Sequence, residues 1–219
     1  MQDIQLFLAG DSTVSDYDAS VAPRAGWGQK IGEYVKPGLL VRNEAASGRS
    51  SKSFIEEGRL EKILKQIRGG DYLFVQFGHN DQKPDERHTD PFGTFKVYLG
   101  RYVDSARRKN ANPVLITPVA RRAFDNQGCL TDTHGDYPDA VRELASELQT
   151  PLIDLALKSG RLLQSLGPEA SKKLFLWLEP GEHPNYPDGV SDNTHFSEYG
   201  AGEIAKLVVQ GAREAGLPL

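Results

Sequence analysis

The amino-acid sequence predicts an α/β fold built on a parallel sheet. Short apolar runs of strand character recur along the chain, stretches of helical periodicity separate them, and 219 residues suffice for a substantial core. That length lies within the range of a single α/β domain, so residues 1–219 are expected to form one domain.

Ile4 to Ala9 (Ile-Gln-Leu-Phe-Leu-Ala) is mostly apolar and closed by Gly10, the look of a strand buried on both faces. Leu39 to Val41, Tyr72 to Phe77, Val114 to Thr117 and Leu152 to Leu155 repeat the character. Between them, Leu60, Ile63, Leu64 and Ile67 follow i, i+3, i+4, i+7, and Phe95, Tyr98, Leu99, Tyr102, Val103 and Ala106 extend the same pattern over a longer stretch. Ala201, Ile204, Ala205, Val208 and Ala212 predict a closing helix, with Ser197 as N-cap and Gly216-Leu217-Pro218 as its stop. The polar, aperiodic segments Lys83–Gly93 and Arg121–Tyr137, and the Pro-, Gly- and aromatic-rich Glu179–Asn193, read as loops long enough to be functional.

Net charge is −4 and the basic residues are scattered, which argues against a nucleic-acid partner and favours a neutral or mildly charged substrate. No apolar run reaches membrane-spanning length. Cys129 is the lone cysteine, so no internal disulfide or thiolate metal site forms from one chain. Met1-Gln2-Asp3 leads straight into the first strand without the features of a signal peptide; a cytoplasmic protein is expected, or a secreted one if a leader has been removed.

The chemistry concentrates at two places. Gly10-Asp11-Ser12-Thr13 sets a serine just past the carboxyl end of the first strand, the edge where open α/β sheets bind ligands. Asp192 and His195 stand at i, i+3, a spacing that lets the carboxylate accept from Nδ1 while Nε2 faces a hydroxyl. Ser12 is then a nucleophile, His195 its base and later acid, and Asp192 the group that fixes the imidazole tautomer. Oxyanion donors come from Gly48, whose backbone N–H is open to close approach, and from the Asn80 amide in Gly78-His79-Asn80-Asp81.

With these blocks in place, the chain resembles the SGNH hydrolase superfamily, also called GDSL esterases, from Gly10 to His195. The resemblance places the family's nucleophile on Ser12, its oxyanion glycine and asparagine on Gly48 and Asn80, and its Asp-x-x-His pair on Asp192 and His195. It also implies that the Ser12 N–H completes the oxyanion hole. The implied fold is a flavodoxin-like three-layer α/β/α sandwich with a central parallel sheet of about five strands, and no cofactor or metal. Thr13 stands where many members have Leu. Gly-Asp-Ser-Thr, Gly-His-Asn-Asp and Asp-Asn-Thr-His-Phe are most similar to the rhamnogalacturonan acetylesterase branch, which implies acetylated pectic saccharide, polymer or oligomer, as substrate. Acetylxylan and other carbohydrate, aryl or lipid esters are the alternatives.

Trp177, Tyr186 and Tyr137 either stack on sugar rings or simply bury area, and Arg121-Arg122 either meets uronate carboxylates or is a solvated pair. Arg122, Trp177 and Tyr186 are carried forward as substrate contacts. His79, His88, His134 and His183 lack a partner at defined spacing and read as structural, as do Asp11 and Asp81; Cys129 is a bystander. A metallophosphoesterase fares poorly, since Asp3-Ile4-Gln5 lacks the expected histidine and no His-x-His follows. A catalytically silent carbohydrate-binding module is the rival from a different class, opposed by the intact Ser12, Asp192 and His195.

Overall fold

The computed structural model describes residues 4–219; Met1-Gln2-Asp3, the approach to the first strand, lie outside them. The central sheet is formed by β1 (Gln5–Gly10), β3 (Leu40–Asn43), β4 (Tyr72–Gln76), β5 (Asn112–Ile116) and β6 (Leu152–Ile153). All neighbours pair in parallel, in the order β3-β1-β4-β5-β6. Numbered among themselves these strands run 2-1-3-4-5, the doubly wound order of flavodoxin-like folds, whose switch point lies between the first and third.

Alternation along each strand divides the core in two. Leu6, Leu8, Phe74, Val114 and Ile116 face a cluster that includes Trp27 of α1 (Trp27–Lys30), Leu155 and Leu163 of α6 (Leu155–Ala170), and Ile204, Ala205 and Val208 of α7 (Glu198–Glu214). Phe7, Ala9, Leu73, Val75 and Leu115 face the other way. They meet Phe54 of α2 (Ser51–Glu56), Leu60 and Ile63 of α3 (Arg59–Leu64), Leu99 and Tyr102 of α4 (Lys96–Arg108), and Val141 and Leu144 of α5 (Tyr137–Glu147). The result is a three-layer α/β/α sandwich.

A second sheet, absent from the sequence reading, joins β2 (Arg24–Ala25), β8 (Val190–Ser197) and β7 (Phe175–Leu178) in antiparallel order β2-β8-β7. The segment read as a loop over Glu179–Asn193 therefore ends inside a strand. Its polar residues gave no apolar run, since only Phe196 of β8 is buried. Smaller corrections concern strand ends. Thr117 lies past β5, and Leu155 belongs to α6 because the Asp154 side chain accepts from the Leu157 N–H and caps that helix. Lys83–Gly93 and Arg121–Tyr137 are irregular apart from a short helical turn at Pro91–Phe95, a bridge between Phe124 and Leu130, and Tyr137 itself, which begins α5.

Ser197 caps α7 by accepting from the Gly200 N–H at 3.1 Å, as its position predicts. Gly200 lets the helix approach so closely that a Cβ there would sit 1.7 Å from the Leu174 carbonyl oxygen. Among the described residues, no helix is long and apolar enough to cross a membrane.

Candidate active site

The turn after β1 is built by its own residues. The Asp11 carbonyl accepts from the Val14 and Ser15 N–H groups at 3.2 and 3.1 Å, while its Oδ1 accepts from the N–H and hydroxyl of Thr13 at 2.9 and 2.8 Å. A Cβ on Gly10 would stand 2.6 Å from Val14 Cγ2, so the turn needs glycine there. Thr13 has a reason of its own: its hydroxyl also accepts from Gln76 Nε2 at 2.7 Å, and Gln76 Oε1 accepts from Trp27 Nε1 at 2.9 Å. Asp11, Thr13, Gln76 and Trp27 are all buried, so leucine at position 13 would strand the Gln76 amide without its acceptor. Asp11 Oδ2 faces His79 Nδ1 at 3.4 Å. Burial pushes the Asp11 carboxyl up, but His79 and the Thr13 hydrogen bonds outweigh it and hold it below its ordinary range.

Ser12 emerges from this turn nearly buried, with its carbonyl accepting from the Tyr17 hydroxyl at 2.8 Å. Its Oγ lies 2.9 Å from His195 Nε2, and His195 Nδ1 lies 2.6 Å from Asp192 Oδ2. The structure thus brings together Ser12, singled out by its place after the first strand, and the Asp192 and His195 pair, singled out by spacing.

Irregular pairing in the second sheet delivers the last two. Leu176 of β7 pairs with Asp192 of β8, yet the next residue back, Phe175, pairs with Phe196. Asn193, Thr194 and His195 therefore face no partner on β7 and bulge from the ladder, the kind of irregularity that re-aims a side chain. Asp192 Oδ1 accepts from the N–H groups of Thr194 and His195 at 2.7 and 3.0 Å, closing the bulge on itself. Burial raises the Asp192 carboxyl, but the bonds from the His195 ring and those two N–H groups prevail and lower it to about 2. It stays ionised beside the imidazole.

Gly48 and Asn80 lie on neighbouring loops. The chain after β3 is tied to β1 by Ala46 N–H donating to the Gly10 carbonyl at 3.0 Å, and Gly48 holds φ of +82°, which favours glycine. Asn80 Nδ2 donates to the Arg49 carbonyl at 3.0 Å, joining the loop after β4 to the residue that follows Gly48. Asp81, read as structural, fixes the base of that loop: it accepts from Ser51 N–H at 3.0 Å, Gly78 N–H at 3.1 Å and the Thr89 hydroxyl at 3.1 Å. Burial pushes its carboxyl up to about 6 against the Ser51 and Thr89 bonds. One neighbour had no sequence signal: Arg87, in the aperiodic loop after Lys83, donates from NH1 to the Gly48 carbonyl at 3.3 Å and to Asn80 Oδ1 at 3.5 Å.

The residues expected to touch substrate are engaged otherwise. Arg122 is buried and donates to Asn193 Oδ1 at 2.9 Å, to Ser171 Oγ at 3.2 Å and to the Pro168 carbonyl, while its N–H reaches the Asn193 carbonyl at 2.9 Å. Trp177 donates to the same Asn193 Oδ1 at 2.9 Å, its ring flanked by the Arg122 and Lys172 cations at 4.9 and 4.7 Å. Both hold the bulge. The Tyr186 hydroxyl donates to the Val21 carbonyl at 3.0 Å, pinning the hairpin end, and Tyr137 is buried with its hydroxyl on the Asp81 and Thr89 carbonyls. Arg121 bonds the Thr133 and His79 carbonyls at 3.1 and 3.3 Å. His79 and His134 are buried edge to face, and Cys129 is exposed. Among the described residues, no group of three His, Cys, Asp or Glu side chains is arranged to hold a metal ion.

Comparison with known proteins agrees with this architecture. Residues 8–202 match the model of the GDSL-like Lipase/Acylhydrolase family. The chain is 57% identical over 216 residues to rhamnogalacturonan acetylesterase RhgT of Bacillus subtilis (strain 168), covering 99% of this chain and 92% of that one. It is 45% identical to the probable rhamnogalacturonan acetylesterase YesY of the same organism, over 98% and 94% of the two chains. The crystal structure of Bacillus subtilis YxiM superposes with a TM-score of 0.84 at 31% identity, covering 98% of this chain and 57% of that one. A serine just past the first strand of a 2-1-3-4-5 sheet, bonded in order to a histidine and a carboxylate of the antiparallel sheet, within a sequence so close to these relatives, means that the chain belongs to the GDSL-like lipase/acylhydrolase family.

Proposed function

We propose that the protein is a serine esterase that removes O-acetyl groups from plant-cell-wall saccharides, with rhamnogalacturonan or its oligosaccharides as substrate. The observation that carries this is the bonded series Ser12 Oγ, His195 Nε2 and Nδ1, Asp192 Oδ2, in a chain 57% identical to a rhamnogalacturonan acetylesterase. Attack by Ser12 Oγ on the acetyl carbonyl passes the hydroxyl proton to His195 Nε2. Asp192, ionised at the other ring nitrogen, steadies the imidazolium. Collapse expels the sugar alkoxide, which takes the proton from Nε2, and leaves acetyl-Ser12. Water deprotonated by His195 then releases acetate and regenerates the serine.

Charge on the tetrahedral intermediate is met by the N–H groups of Ser12 and Gly48 and by Asn80 Nδ2. Neither backbone N–H donates to a protein acceptor among the described residues, which leaves both for this work. The lone Cys129 fits a reducing compartment, and the cytoplasm is the location this reading assigns.

The test is acetate release from acetylated rhamnogalacturonan, its oligosaccharides and acetylated xylan, with and without excess chelator. The rhamnogalacturonan substrates should give the highest kcat/KM, undiminished by chelator. A preference for acetylxylan would overturn the substrate assignment, and oligosaccharide binding without any acetate release would overturn the esterase itself.

A further inference from the structure

The geometry points to Arg87 as a positioning residue that holds the two oxyanion-donating loops in register. It rests on the reading of Gly48 and Asn80 as oxyanion donors. A single nitrogen, Arg87 Nη1, reaches both loops, lying 3.3 Å from the Gly48 carbonyl and 3.5 Å from Asn80 Oδ1. The guanidinium is itself fixed from behind, because Nε donates to Asp85 Oδ1 at 2.9 Å, NH2 donates to Asp85 Oδ2, and the Arg87 N–H caps the same carboxylate at 3.0 Å. The segment carrying it is anchored at both ends. Lys83 N–H donates to the Asn80 carbonyl at 3.2 Å, and Thr89 N–H to the Asp81 carbonyl at 2.9 Å.

The bridge has three consequences. First, it fixes which way the Asn80 amide faces: a cation lies on Oδ1 and the Arg49 carbonyl on Nδ2, so rotating the amide would set oxygen against carbonyl and nitrogen against guanidinium. The second N–H of Nδ2 is thereby kept as a donor. Second, the cation on Oδ1 polarises the amide and strengthens its donated hydrogen bond at the moment negative charge forms. Holding the Gly48 carbonyl similarly pins the peptide that follows Gly48, whose φ of +82° is open to drift in a glycine.

The experiment compares wild type, Arg87→Ala, Arg87→Lys, Asn80→Ala and the Asn80→Ala/Arg87→Ala double variant, using p-nitrophenyl acetate so that no sugar contact contributes. Asn80→Ala should lower kcat about 10²-fold. Arg87→Ala should lower it about tenfold with KM within about twofold and an unchanged melting temperature, because the effect is transmitted through other donors. Arg87→Lys should fall between, since a point charge cannot fork Asp85 and bridge two carbonyls together. On the Asn80→Ala background, Arg87→Ala should cost less than about threefold, since only its hold on the Gly48 carbonyl then remains to be lost. Wild-type kcat in Arg87→Ala, full additivity in the double variant, or a KM effect at unchanged kcat would each overturn the inference. If Asn80→Ala slows the enzyme and Arg87→Ala does not, the oxyanion reading stands and only the bridge falls. If Asn80→Ala is itself without effect, both fall.

Discussion

His195 Nε2 lies 2.9 Å from Ser12 Oγ across 183 positions of sequence. Two sheets make the meeting: Ser12 is set by the turn that ends a strand of the parallel sheet, His195 by a bulge in the antiparallel one. Ser12→Ala removes the atom that the proposed mechanism acylates while leaving the turn, whose hydrogen bonds are made by Asp11, Thr13 and the backbone. Acetate release should fall at least about 10⁴-fold with an unchanged melting temperature. Turnover within tenfold of wild type would show that another residue attacks.

The Asp192 carboxyl, lowered to about 2 in the folded protein, gives a pH signature. In the unfolded chain it titrates near about 4, so between these values the unfolded state binds more protons and stability rises with pH. The contribution is complete above about pH 4 and lost as pH falls toward 2. Asp192→Asn should therefore be less stable than wild type by about 1 kcal/mol near neutrality, after discounting for the carboxylate's partial exposure. Denaturant titrations from pH 2 to 7 should show the two curves converging at the acid end; a constant gap would contradict the assignment.

Arg122 tests whether a buried guanidinium serves the bulge or the substrate. Arg122→Ala leaves Asn193 Oδ1 with Trp177, leaves the Pro168 carbonyl with the Ser171 hydroxyl, and removes the donor that this hydroxyl accepts from. A loss of about 2–3 kcal/mol and about 5–10 °C in melting temperature should accompany a lower kcat, and Arg122→Lys should not restore it. Unchanged melting temperature with a raised KM would return Arg122 to the role of substrate contact.

Gly200 tests how tightly α7 is seated. Its missing Cβ would overlap backbone, the Leu174 carbonyl oxygen at 1.7 Å, rather than a side chain that can swing away. Gly200→Ala should destabilise by about 2–4 kcal/mol in chemical denaturation. A loss below about 1 kcal/mol would mean that the helix start can shift freely.

The middle of the central sheet was legible because β1, β4 and β5 are buried on both faces and so read as apolar runs; every residue of β4 from Tyr72 to Gln76 is buried, whereas the edge strand β3 is exposed at Leu40 and Arg42. Asp192 and His195 were legible for a different reason, their i, i+3 spacing, and Ser12 through its place just past the first strand. What stayed hidden depends on distant contacts. β8 is polar at Asp192, Asn193 and Thr194 and becomes a strand only through β7 and β2. Arg122 reads as a surface residue until Pro168, Ser171 and Asn193 close around it. Arg87 sits in a loop without period, where nothing local distinguishes it from Lys83 or His88. α5 and α6 went unnamed, the latter broken by Gly167 with φ of +71° just before Pro168.

The bulge at Asn193–His195 separates proton transfer from whatever lies farther out on the hairpin. Its shape is set from below by Arg122 and Trp177 and from within by Asp192, not by the turn between β7 and β8. That turn, residues 179–189, can therefore be lengthened, shortened or rewritten while Asp192 and His195 keep their alignment.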